Sequence, residues 1–202
     1  MAKQIARGGI VGAVVVFLMS NVFHLVTNLG ETGVKPLPNE APVLSTMRTS
    51  ISESGLYVFP ATDPASMKTE AGKAAYMQKY KLGPTGIMAY RTGGAELSFG
   101  KLLVNQFLFT LVAGLLISWT LAMTAPATTY GSRVLIVFLA SVFGGFVYTL
   151  PYWNWYGFPG SYIGAELGTW AASWLIGGLA MAALIKQRPA VRAEREPAAA
   201  RA

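Results

Sequence analysis

Four apolar runs constrain this chain more than anything else in it. They cover Gly8 to Asn28, Leu102 to Met123, Arg133 to Leu150 and Tyr162 to Ile185. Each is close to the ~20 apolar residues that carry a helix across the hydrocarbon of a bilayer. Nearly all charged residues lie outside the runs, as expected where an ionised group in hydrocarbon costs several kcal/mol unless it is paired or wetted. The sequence therefore predicts a membrane all-α protein, a four-transmembrane-helix bundle.

Residues 1–29 read as a basic head, with Lys3 and Arg7, followed by the first helix. A signal peptide shares that pattern, but this apolar run is longer than a usual h-region and no Ala-x-Ala-like site follows it, so an uncleaved helix is expected. Gly8 and Gly12 make a Gly-x-x-x-Gly step that Gly9 and Ala13 repeat, which lets another helix approach closely. Residues 30–101 change character: polar, rich in Pro and Gly, and too long for a passive connection. They read as a small extracytoplasmic α+β insertion between helices 1 and 2. Within it, Asn39 caps a helix over Glu40 to about Ser50, and Leu56 to Phe59 forms a strand stopped by Pro60. Asp63-Pro64 starts a second helix that ends near Gly83-Pro84, and Ile87 to Tyr90 is a second strand that can pair with the first. Residues 102–186 hold helices 2–4, with an aromatic outer loop over 151–162. Residues 187–202, mostly Ala, Arg, Glu and Pro, read as a disordered cytoplasmic tail.

The net charge of +7 is spread over two termini and one long segment without a contiguous patch, so nucleic acid is not an expected partner. Orientation explains the charge better. The aromatic loop has no Lys or Arg, whereas Lys3, Arg7, Arg133, Lys186, Arg188, Arg192 and Arg195 lie near helix ends on the other side. Short loops dominate the positive-inside rule, which makes both termini cytoplasmic and the 30–101 segment external. The chain contains no cysteine, which excludes disulfide exchange, thiolate nucleophiles and cysteine-ligated metal centres.

With that orientation, polar residues inside the runs gather in the outer half. Asn21, His24 and Asn28 lie at i, i+3 and i+7 of the first helix, with Ser20 four residues before His24. Asn105 and Gln106 stand at similar depth on the second helix, Tyr148 near the outer end of the third, and Glu166 near the outer start of the fourth, followed by Thr169 and Ser173. Glu166 is the one acidic residue in the four runs and His24 the one histidine in the chain. A polar face in lipid must turn toward other helices or water, so Asn21, His24, Asn28, Asn105, Gln106, Tyr148 and Glu166 are expected around an outer polar cavity. Each also has a plainer reading, as a packing residue, an interhelical hydrogen-bonding group or, for Glu166, a carboxylate favoured by a helix N-terminus. Trp153, Asn154, Trp155 and Tyr156 read as an interaction loop or as interfacial anchors. Gly144, Gly145, Gly164, Gly168, Gly177 and Gly178 read as packing contacts.

Residue supply excludes several chemistries. Bis-histidine haem needs a second histidine, and one His with one Glu leaves a zinc ion short of ligands. The inner half lacks the polar lining of an ion path, and Ser20 with His24 lacks an oxyanion donor and a third member. No catalytic residue, metal or cofactor is assigned.

Three segments carry a further resemblance: Gly55-Leu56-Tyr57-Val58-Phe59-Pro60, Gly83-Pro84-Thr85-Gly86, and Tyr152-Trp153-Asn154-Trp155-Tyr156-Gly157-Phe158-Pro159. Their combination resembles a family of bacterial four-helix membrane proteins with no known activity, which implies a multi-pass protein of the bacterial cytoplasmic (inner) membrane. The loop pattern is similar in shape to that of claudins, without the claudin Trp-Gly-Leu-Trp and cysteine-pair signature. The leading functional expectation is a non-enzymatic accessory or interaction subunit whose partners are the lipid bilayer and another membrane protein or a second copy. The alternative is a small-molecule or lipid-binding protein, with or without catalysis, that uses the outer polar cavity.

Overall fold

A computed structural model describes residues 1–94, 96–124 and 127–185. The expected tail at 187–202, the charges from Lys186 onward and Pro126 lie outside the described residues. The elements are α1 (Ala2–Asn21), α2 (Glu40–Ser50), β1 (Gly55–Phe59), α3 (Glu70–Leu82), β2 (Gly86–Tyr90), α4 (Phe99–Ala122), α5 (Tyr130–Tyr156) and α6 (Gly160–Leu184). Four helices, α1 with its continuation to Val26, α4, α5 and α6, are long and apolar enough to cross a membrane. The chain is built as a multi-pass membrane protein.

The helices form an up-and-down set in which α1 and α6 lie at the centre. α1 packs against both α4 and α6, α5 packs along α6, and α4 and α5 scarcely touch although they are consecutive. Glycines explain why α1 takes the central place. Gly9 lies against the backbone of Leu115 on α4, Gly12 against Met181 on α6, and Gly8 against both Ser118 of α4 and Ile185 at the end of α6. The two overlapping small-residue steps thus let α1 approach α4 and α6 together. Gly114 returns the approach from α4, its Cβ position 2.7 Å from the Gly9 carbonyl, and Gly177 and Gly178 receive Val16 and Val137. The core of Val16, Leu121, Val137, Trp174, Met181 and Ile185 lies nearer the end that carries Met1 and Ile185, called here the terminal end.

The same end holds side-chain ties between helices. The Ser118 hydroxyl donates to the Ile5 carbonyl at 2.7 Å, and the Tyr130 hydroxyl to the Leu179 carbonyl at 3.0 Å. Arg133, which the sequence offers only as an orientation charge, is buried. Its guanidinium donates to Thr128 O at 2.7 Å and to Ala182 O at 3.2 Å. A cation over the last carbonyls of α6 also opposes the negative end of that helix.

The segment between α1 and α4 shows the expected helix–strand–helix–strand order, with β1 and β2 antiparallel and Phe59 opposite Gly86. The Gly55–Pro60 motif is therefore β1 and its end, and the Gly83–Gly86 motif leads from α3 into β2, the strand that pairs with it. Asp63 does not start α3. Its carboxylate accepts from Ser66 N at 3.1 Å and holds a single 3-10 turn, and Thr69 then caps α3 by accepting from Gly72 N at 3.0 Å. None of these four elements buries a residue, so the order is present without a core of its own.

The largest departure from expectation is at 151–162. There is no aromatic loop there. α5 runs on through Pro151 to Tyr156, and Gly157 ends it at φ 70° with the Phe158 N–H turned back onto Tyr152 O at 3.2 Å. A proline removes one intrahelical donor and usually stops a helix; here Tyr148, Tyr152 and Tyr156 recur every four residues across it and meet edge-on and tilted, at 5.5 and 6.0 Å between ring centres. At 27 residues α5 is ~40 Å long and outreaches a ~30 Å hydrocarbon layer. Trp153, Asn154, Trp155 and Tyr156 are thus its exposed last turn.

The packing expected of six glycines divides evenly. Gly145, Gly177 and Gly178 are packing contacts, whereas Gly144, Gly164 and Gly168 have nothing within 4 Å of a Cβ. The 3.6-residue period places the second three on faces that no helix among the described residues covers.

Candidate functional site

At the end opposite the termini, called here the connector end, α1 does not finish as a regular helix. Val22–Val26 widens into a π turn, Asn28 takes a left-handed φ of 56°, and Leu29–Glu31 makes a 3-10 turn. Asparagine tolerates that left-handed conformation better than most residues. The chain then folds over the start of α6, where Gly33 (φ 83°) lies against Tyr162 and Ser161. Gly30 lies directly on the His24 ring, leaving no room for a side chain.

This turn brings His24 to α6. Its Nδ1–H donates to the Ser20 carbonyl at 2.9 Å, and its Nε2 stands 3.8 Å from Glu166 Oε1. That is an ion-pair distance and too long for a hydrogen bond. Glu166 is partly buried, with 28% of its side chain accessible. It lines a pocket of about 160 Å³ whose other walls are Tyr148, Thr149, Tyr152, Phe158, Tyr162 and Ile163. Successive rings touch: Tyr148 to Tyr152 at 5.5 Å, Tyr152 to Phe158 at 5.2 Å, and Phe158 to Tyr162 at 5.7 Å between centres.

Of the seven expected cavity residues, the structure brings together His24, Tyr148 and Glu166. Asn21 is satisfied within its own helix, Nδ2 donating to the Phe17 carbonyl at 2.7 Å. Asn28 is exposed and forms the turn after α1. Asn105 and Gln106 have exposed positions on α4. The i, i+3, i+7 face drawn through Asn21, His24 and Asn28 assumes an unbroken helix, and the π turn and the left-handed residue rotate that face apart.

Gln106 borders a second cleft, of about 140 Å³, between α1, α4 and α6. Val16, Phe109, Thr110, Trp170, Ser173 and Trp174 line it. The Ser173 hydroxyl is buried here without a hydrogen-bond partner. Thr110 and Thr169 each return their hydroxyl to their own helix, at 2.9 Å from the Gln106 and Ala165 carbonyls. Every residue of α4 from Phe99 to Phe109 except Phe107 is exposed, and Phe107 meets the Phe17 ring of α1 edge-on at 5.5 Å between centres.

Sequence reasoning missed Tyr152, Phe158 and Tyr162 as pocket walls, because a loop gives no face. It also missed Trp170 and Trp174. Their signal is present: Ile163, Glu166, Trp170, Ser173 and Trp174 step by three, four, three and one, which is one stripe of a helix. Among the described residues no three of His, Asp and Glu converge as a metal site would require.

The fold and site define a class, a four-helix multi-pass membrane protein with an aromatic-walled carboxylate pocket at one end. A comparison with protein-family models, curated proteins and solved structures found no match.

Proposed function

We propose that this is a binding protein of the bacterial cytoplasmic membrane, holding a small molecule or the head of a lipid in the Glu166 pocket on the outer face. One observation carries the reading. Glu166 is the single charged residue of α6, and it borders open, ring-walled space while His24 Nε2 stands 3.8 Å from its carboxylate without a hydrogen bond. A carboxylate at this depth needs water, a cation or a hydrogen-bonding partner to offset its desolvation. Lys3, Arg7 and Arg133 at the terminal end, against none in the α5–α6 turn, support cytoplasmic termini and an external pocket.

Native mass spectrometry of the protein released from lipid nanodiscs tests this. Wild type is expected to retain a bound lipid or small molecule that Tyr152→Ala loses at unchanged secondary structure. An identical bound complement in both proteins would remove the reading.

The second reading, an accessory or interaction subunit, is favoured by the exposed Trp153, Asn154, Trp155 and Tyr156 and by Gly160, Gly164 and Gly168, one uncovered ladder on α6. Small residues at this spacing suit close helix approach by another membrane protein or a second copy. Affinity purification in mild detergent that recovered only a monomer bound to no protein would eliminate it.

A further inference from the structure

We infer that the ligand of the Glu166 pocket is an amphiphile with an organic ammonium head, whose apolar chain descends along α6 into the cleft at Ser173. The inference rests on the binding reading above and names the chemistry that would satisfy both cavities at once.

The head follows from the walls. Tyr148, Tyr152, Phe158 and Tyr162 surround the pocket with ring surface, Glu166 supplies a carboxylate, and none of the residues lining it is basic. Aromatic faces carry negative potential, so such a cage favours a soft cation, above all a methylated ammonium, and disfavours an anion. A bare metal ion lacks ligands there. His24 stands at ion-pair distance from Glu166, 3.8 Å from Nε2 to Oε1, but does not hydrogen-bond to it, so the carboxylate keeps acceptor capacity for the head.

The chain follows from the stripe on α6. Glu166 faces the upper pocket, and Trp170, one turn further, already lines the lower cleft. That cleft is walled mainly by Val16, Phe109, Ala113, Trp170 and Trp174, which suits a hydrocarbon segment. Gln106 and Phe109 of α4 line this cleft and are also exposed, so it can be reached from the bilayer. Ser173 then acquires a purpose. A buried hydroxyl without a partner costs free energy, and an ester, amide or ether oxygen on the chain would accept its proton. Seven residues of helix separate Glu166 from Ser173, which places that oxygen ~10 Å from the ammonium.

The test uses the full chain in nanodiscs, with Trp119, Trp153 and Trp155 replaced by Phe so that Trp170 and Trp174 report. The probes are dodecyltrimethylammonium and an uncharged dodecyl ether of glycerol, each brominated near the chain end to quench nearby indole emission. The cationic probe is expected to quench saturably and to bind about tenfold tighter than the uncharged one. Glu166→Gln should remove that preference, and Ser173→Leu should weaken both probes together. Should Ser173→Leu fail to fold, Ala113→Val narrows the same cleft from α4. Equal affinity of the two probes, or a preference that survives Glu166→Gln, overturns the ammonium head. Quenching indifferent to Ser173→Leu and Ala113→Val overturns the chain path. Either failure leaves the binding reading standing as long as Tyr152→Ala still strips the ligand seen by mass spectrometry.

Discussion

The two ends of this bundle are held by different means. At the terminal end the helices approach until backbone meets backbone, as Gly114 does against the Gly9 carbonyl. Ser118, Tyr130 and Arg133 then donate across helix boundaries to main-chain oxygens. At the connector end the space between α5 and α6 is bordered by rings and a carboxylate, and the His24 imidazole stands 3.8 Å from that carboxylate. Lipid tails are as apolar as leucine, so side-chain greasiness gives no reason for membrane helices to associate; shape and polar ties must do it. The terminal end has both, and the connector end has cavities where they would be. A rigid base that holds an open mouth is a suitable support for a binding site, because site residues are fixed best when carried on packed elements.

The largest expected effect tests whether the base depends on backbone approach. Gly114→Val should destabilise the fold by about 3 kcal/mol or more, since neither the Gly9 carbonyl nor α4 can give way without opening the α1–α4 contact. Gly144→Val makes the same chemical change on α5 where nothing stands within 4 Å, and should remain within about 0.5 kcal/mol of wild type. Reversible unfolding in mixed micelles, followed by tryptophan emission, measures both. If the two variants unfold alike, close packing is not what distinguishes the two ends.

A smaller effect is expected from the polar ties. Arg133→Met removes guanidinium bonds to Thr128 O and Ala182 O but also relieves a buried charge whose Nε has no partner. The loss should therefore be about 1–2 kcal/mol, below the sum of two charge-assisted bonds. Arg133→Lys should recover only part of it, because a point-like ammonium cannot span two carbonyls as a planar fork does. A Met variant at least as stable as wild type would show that the arginine serves orientation alone.

Much of the base was legible in the residues, and much of the mouth was not. The small-residue steps at Gly8, Gly9, Gly12 and Ala13 announced a close approach, because spacing alone decides whether a backbone can come near. Spacing does not say which helix arrives, and hence Gly144, Gly164 and Gly168 were read as covered when they face open space. At the mouth, the expected outer cluster assumed that α1 kept its period through Asn28 and that Pro151 ended α5. A π turn breaks the first assumption, and α5 runs past Pro151 to Tyr156 with Tyr148, Tyr152 and Tyr156 in ring contact along it. Neither is visible in residue spacing alone. His24 and Glu166, drawn together by the turn at Gly30 and Gly33, were named from chemistry without the geometry that joins them.

The finest comparison uses one helix and one substitution. Gly168 and Gly177 both lie in α6, nine residues apart, and both give up the same backbone entropy when replaced by alanine. In an open helical position that exchange stabilises by about 0.5–1 kcal/mol. Gly168→Ala should show that gain, since its Cβ meets nothing within 4 Å. Gly177→Ala should instead destabilise, because its Cβ would overlap the Val16 side chain, a stiff β-branched residue in the core. The difference in sign, read from paired unfolding curves, locates the boundary between closed base and open mouth along α6. A Gly168→Ala variant that loses stability, or that loses self-association at constant stability, would mean that the Gly160–Gly164–Gly168 ladder is covered by another helix in the membrane. The open end would then be an interface as well as a pocket.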